Sequence, residues 1–162
     1  LVAEDLGIIT PDVVALRRRF GLPGMAVLQF AFDDHADNPH KPQNVTPDTV
    51  YYTGTHDNDT TLGWWSALSE EARRHAMQQL DVHEPEAMLD AMIDTVLESP
   101  AALAVLPMQD LLGLGSAARM NTPGTGSGNW TWRFDWAGVP ADLAPRLLKK
   151  LQKAHRCETA RP

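Results

Sequence analysis

Four short apolar runs set the frame of this chain, and none of them alternates with polar residues. They are "LVAE" (1–4), "GMAVLQFAF" (24–32), "TVYYTGT" (49–55) and "LAVLPMQ" (103–109). A strand with one wet face alternates. A run that stays apolar suits a strand covered on both faces, as in a parallel sheet. Helical patterns lie between the runs. Thr10 stands as an N-cap with Pro11 at the first helical position, Arg17 to Arg19 fill a last turn, and Gly21 ends it. After the third run, Thr60 or Thr61 caps a helix carrying Leu62, Trp65 and Leu68. Ser69 opens another through Leu80, and Pro85 starts a third with Met88, Ala91, Met92 and Val96 on one face. The order strand, helix, strand, irregular stretch, strand, helices, strand predicts an α/β fold with parallel strands.

Composition narrows the function classes. The chain has 162 residues, 43% of them hydrophobic, which is ordinary for one globular domain. A net charge of −7 argues against nucleic-acid or anionic-membrane partners, which need a basic field. The apolar runs are far shorter than a membrane span, and the front carries no signal-peptide pattern. The single cysteine, Cys157, excludes an internal disulfide, and the expected setting is reducing and cytoplasmic. Arg17, Arg18, Arg19, Lys149 and Lys150 fall at expected helix C-termini, where cations complement the helix dipole. The chain opens at "LVAEDLG" with no methionine, so a piece of a longer polypeptide is expected.

The ends of the four runs carry the chemistry. The first ends in Glu4 and Asp5, the second in Asp33, Asp34 and His35. The third runs into His56, Asp57, Asn58 and Asp59, and the fourth into Gln109 and Asp110. Both (β/α) barrels and doubly wound sheets build sites beyond the carboxyl ends of their strands. "HDND" offers more hydrogen-bonding capacity than a loop needs. His56, Asp57, Asp59 and Glu4 could offer hard ligands to magnesium or manganese, but no metal-binding spacing is present, and no metal is expected. No serine elbow occurs, and Cys157 lies in a polar tail. Gly124, Gly126 and Gly128 permit tight turns without completing a phosphate loop. Trp130 and Trp132 suit sugar stacking or core packing alike. A carboxylate pair fits best. Retaining glycoside cleavage uses a nucleophile and an acid/base about 5–5.5 Å apart.

The stretches "AEDLG", "LPGMAVLQFAF", "YTGTHDNDTTLGWW" and "LPMQDLLGLGSAARMNTPGTGSGNWTWR" closely resemble the amylomaltases, the 4-α-glucanotransferases of glycoside hydrolase family 77. The likeness runs nearly end to end and is weakest over 69–99. It implies the C-terminal half of a (β/α)8 barrel, about strands five to eight. Residues 1–162 would be one partial domain, with a helical insertion at 69–99 after the third strand. Glu4 matches the family's general acid/base, and Asp57 the carboxylate that holds donor-sugar hydroxyls and steadies the oxocarbenium-like transition state. His56 would bond that same sugar. Asp5, Phe30, Asp34 and Asn121 fall at positions resembling substrate contacts. The implied reaction is a two-step transfer between maltooligosaccharides that needs no cofactor. The family's nucleophile lies on the preceding strand, before Leu1, so the chain alone is expected to be inactive. An isolated glucan-binding module and a metal-dependent hydrolase are the alternatives. A half-barrel would have two open strand edges and an exposed inner face, so self-association is expected.

Overall fold

A computed structural model describes residues 1–157. Helix α1 (Pro11–Arg19) leads into β1 (Gly24–Val27), followed by an irregular stretch and β2 (Thr49–Tyr52). Three helices come next: α2 (Thr61–Ala67), α3 (Glu70–Gln79) and α4 (Met88–Glu98). Then come β3 (Leu103–Val105), the short α5 (Met108–Leu111) and α6 (Leu143–Lys153). The three strands form one parallel sheet in the order β1-β2-β3.

The parallel α/β reading holds, with three strands among the described residues where four were expected. The first run does not join the ladder. Ala3 N–H donates to the Pro23 carbonyl at 2.9 Å, but no strand pairing with β1 follows. Asp5 Oδ1 accepts from Met25 N–H at 2.7 Å, taking the donor that a neighbouring strand would have used. Farther along the same edge, Val27 N–H donates to His40 Nδ1 at 3.2 Å. Side chains therefore block the β1 edge, contrary to the expected open edge on each side. The second run also ends early: after Val27 the chain tightens into a 3-10 turn over Leu28–Phe30.

Register decides which face holds the core. Ala26 pairs with Tyr51 and Tyr51 with Ala104. Ala26 and Tyr51 are buried in one cluster with Leu28, Trp65, Met88, Met92 and Val96. Met88, Met92 and Val96 recur every fourth residue on α4, so a single stripe meets the sheet. Burying each such side chain contributes about 1.5–3 kcal/mol. The stretch 69–99 thus supplies part of the core. Residues Tyr52 and Val105, one register step on, face the opposite side.

The helix starts follow their caps. Thr60 Oγ1 accepts from Gly63 N–H at 3.0 Å, and Ser69 Oγ from Ala72 N–H at 3.2 Å. The basic residues expected only to complement dipoles also tie elements together. Arg17 donates to the Leu22 carbonyl at 2.9 Å, and its Nε lies 3.3 Å from Asp5 Oδ2, close enough for an ion pair but not aligned as a hydrogen bond. Lys150 of α6 reaches Asp94 of α4 at 2.8 Å. Arg156 donates to the carbonyls of Leu97, in the last turn of α4, and of Ser99 and Ala101 just beyond it. Among the described residues, no helix is long and apolar enough to cross a membrane.

Candidate active site

A cleft of about 910 Å³ opens beyond the carboxyl ends of the strands. Tyr52 and Val105 form part of its floor, and Glu4, Phe30, His56, Asp57 and Trp130 stand on its walls. The "HDND" loop enters this cleft because its own polar residues fold it. Asn58 Oδ1 accepts from both the backbone N–H and the hydroxyl of Thr55, at 2.9 and 2.8 Å. Asp57 N–H donates to Thr55 Oγ1 at 3.3 Å. Asn58 is thereby used up as a loop brace, while His56 and Asp57 project outward.

Below the loop lies a buried anchor. Asp110 is 2% exposed. Its Oδ1 accepts from Thr61 N–H at 2.7 Å, and its Oδ2 from the hydroxyls of Thr53 and Thr61 at 2.6 and 2.8 Å. One carboxylate thus joins the end of β2, the start of α2 and the α5 turn. Asp59 is occupied likewise, by Thr60 N–H at 2.8 Å and the Ser116 hydroxyl at 2.7 Å. Gly63 lets α2 pass close to these groups, since a Cβ there would push aside the Asp59 carboxylate and the Ser116 hydroxyl. Among the described residues, no group of three or more His, Cys, Asp or Glu is placed to hold a metal ion.

Above the loop, residues 119–130 form a second wall. Arg119 Nη2 donates to the Asp57 carbonyl at 2.7 Å and its Nε to the Asn121 carbonyl at 2.8 Å. Asn121 N–H donates to the His56 carbonyl at 3.1 Å. Its side-chain amide donates to Asp57 Oδ1 at 2.5 Å, and His56 Nε2 lies 3.4 Å from that oxygen. The segment then turns back on itself through Gly124 and Gly128, both at φ 81°. Trp130 closes the turn, its N–H donating to the Met120 carbonyl at 2.8 Å. Its φ of 60° is a left-handed conformation that costs a bulky residue on the order of 1–3 kcal/mol.

The residues singled out from sequence divide cleanly. Glu4, Phe30, His56 and Asp57 meet in the cleft, and Asn121 backs the Asp57 carboxylate. Asp5 turns instead to Met25 N–H and Arg17. Asp34 is open to solvent, 3.6 Å from His75 Nε2, and does not line the cleft. Arg119 was missed by sequence reading, although "RMN" puts it two residues before Asn121. Phe30 meets the His40 ring edge-on at 5.4 Å. Burial holds the His40 imidazole below its ordinary value, against the opposing pull of Asp5 and Asp33. A neutral ring is what the Val27 N–H needs as an acceptor.

Known proteins resemble this chain in sequence and fold. A sequence profile of the 4-alpha-glucanotransferase family matches residues 1–138. The chloroplastic/amyloplastic 4-alpha-glucanotransferase of Arabidopsis thaliana is 54% identical over 134 residues, 83% of this chain and 23% of its own length. The 4-alpha-glucanotransferase of Thermus thermophilus is 51% identical over 159 residues, 94% of this chain and 31% of its own. The chain therefore spans about a quarter to a third of these relatives. The amylomaltase of Streptococcus agalactiae, solved in complex with acarbose, superposes over 97% of this chain and 32% of its own, with a TM-score of 0.91 at 30% identity. On the profile match and the high identity together, the chain belongs to the 4-alpha-glucanotransferase family, glycoside hydrolase family 77.

Proposed function

We propose that this chain supplies the acid/base and the donor-sugar wall of a 4-α-glucanotransferase. The enzyme would move α-1,4-glucan segments between maltooligosaccharides with retention. The observation that carries this reading is the common cleft. Glu4 and Asp57 both line it, and Asp57 Oδ2 has no protein partner among the described residues. Its free oxygen suits sugar hydroxyls, while Asn121 and His56 steady the other.

In the first step a carboxylate attacks the anomeric carbon as Glu4 protonates the departing glucan oxygen. In the second, Glu4 takes the proton of an incoming 4-hydroxyl, and that oxygen displaces the enzyme carboxylate. Asp57 offsets the positive charge that develops on the ring in both transition states. The scheme uses no cofactor. It assigns the nucleophile to no residue of this chain, which we read as the later strands of a (β/α)8 barrel with 69–99 inserted after β2. Its single cysteine suits a reducing, cytoplasmic setting.

The 162 residues alone are expected to leave maltotriose unchanged. Intact mass and a maltotriose assay on one sample test this. Clear glucose release from a chain of the correct mass would sink the missing-nucleophile account. A glucan-binding module is the second reading, favoured by the half-exposed Trp130. Micromolar binding of maltoheptaose in a calorimetric titration, without turnover, would support it. The partner expected for the isolated chain is a second copy, meeting it at β3, where Leu103 is 54% exposed. Sedimentation as a clean monomer would exclude that association.

A further inference from the structure

Trp130 differs from the other four tryptophans. Trp65 is buried, and Trp64 packs on Phe32 at 5.2 Å between ring centroids. Trp132 stacks on Phe134, and Trp136 meets Phe134 edge-on. Trp130 alone lines the cleft, 54% exposed. Its one aromatic neighbour is the His56 ring, 5.0 Å away and tilted by 40°.

The backbone makes this placement deliberate. A bulky residue at φ 60° persists only where its surroundings fix it. Here the fixing contacts are the bond to the Met120 carbonyl and the Asn129 side chain. The latter accepts from Thr122 N–H at 2.9 Å and donates to Thr125 Oγ1 at 3.0 Å. A relaxed backbone would serve as well if the indole only filled space. The observed one holds an indole open to solvent beside the His56 ring, in the cleft that Asp57 also lines. Outliers of this kind concentrate at ligand clamps.

A pyranose ring matches the two sides of this corner. Its C–H face is apolar and flat, like an indole, and its rim of hydroxyls suits a carboxylate and an imidazole. We propose that Trp130 is a sugar-stacking residue, its indole lying against the C–H face of a glucosyl unit whose hydroxyls Asp57 and His56 hold. This rests on the glucanotransferase reading, which names the sugar.

The test uses the full-length polypeptide that carries these residues, with maltotriose as the probe. Trp130→Ala is expected to raise KM about tenfold, and Trp130→Phe to recover most of that loss, because a phenyl ring still offers a face. An unchanged KM in Trp130→Ala overturns the inference, as does a Trp130→Phe variant no better than Trp130→Ala. Alanine could also relax the loop, so fluorescence supplies a second readout on the better-packed variant. Maltotriose is expected to shift the indole emission of the unmutated protein and not that of Trp130→Phe. A shift retained in Trp130→Phe overturns the assignment. If the unmutated protein releases no glucose from maltotriose, yet the shift occurs and vanishes in Trp130→Phe, the glucanotransferase reading falls and the stacking residue stands.

Discussion

Asp110 and Asp57 follow adjacent strands of one sheet. Asp110 is 2% exposed, whereas 52% of the Asp57 side chain is open. Asp110 spends both oxygens on the protein, through Thr53 and Thr61. Asp57 accepts a hydrogen bond from Asn121 on one oxygen, with His56 Nε2 3.4 Å from the same atom, and its other oxygen has no partner among the described residues. The first carboxylate holds the loop and the second is held out by it. A carboxylate whose acceptor sites are filled from within has none left for a ligand. The acid proposed to meet the sugar is therefore the one the fold leaves unfinished.

Substitutions can break that contrast. The largest effect is expected for Asp57→Asn in the full-length enzyme: kcat/KM lower by about a thousandfold, equivalent to about 4 kcal/mol of transition-state stabilisation. Its melting temperature should stay near that of the unmutated protein. A melting temperature that fell along with activity would show Asp57 to be a second anchor. Next comes Asp110→Ala, expected to lose about 3 kcal/mol in urea unfolding, since it strands one amide and two hydroxyls in the interior. A loss below about 1 kcal/mol would mean that water replaces the carboxylate. Asn121→Ala should cost about 1 kcal/mol of transition-state stabilisation, some fivefold in kcat/KM, because it frees Asp57 to swing without removing its charge. An unchanged rate would leave the 2.5 Å contact without consequence for catalysis.

The smallest effect extends the contrast to a third group. His40 is held neutral by burial and accepts from Val27 N–H. Its folded value lies below the unfolded one, so the unfolded state binds the extra proton first. The His40 contribution is therefore present above the unfolded value of about 6.5 and is lost as pH falls through the lower folded value. The urea midpoint should drop over that window, and less so in His40→Gln. Equal slopes in the two proteins would remove His40 from the account.

Much of this architecture was legible in the sequence. Continuous apolar runs and their caps located β1, β2, β3, α2 and α3, because both signals are local. "HDND" pointed to the cleft because the loop brings its own brace in Thr55 and Asn58. Contacts between distant residues were not legible. The bond of Asp5 could not be read from "AEDLG", because its partner Met25 lies twenty residues away. Asp110 and Asp57 cannot be told apart by type or by position after a strand, since only tertiary burial separates them. Arg119 escaped notice because it acts on the Asp57 carbonyl, sixty-two residues upstream.

The blocked edge of β1 has a consequence for assembly. Met25 and Val27 have already given their outward N–H groups to Asp5 and His40, and no strand lies beyond β3 among the described residues. Addition of strands to the isolated chain would therefore be one-sided. Two copies that met β3 to β3 would each turn a sealed edge outward, giving a self-complementary pair with nowhere to continue. An open filament needs a free edge at both ends of its unit. In the isolated chain, two polar side chains on one margin would thus limit any strand-edge association to a finite pair.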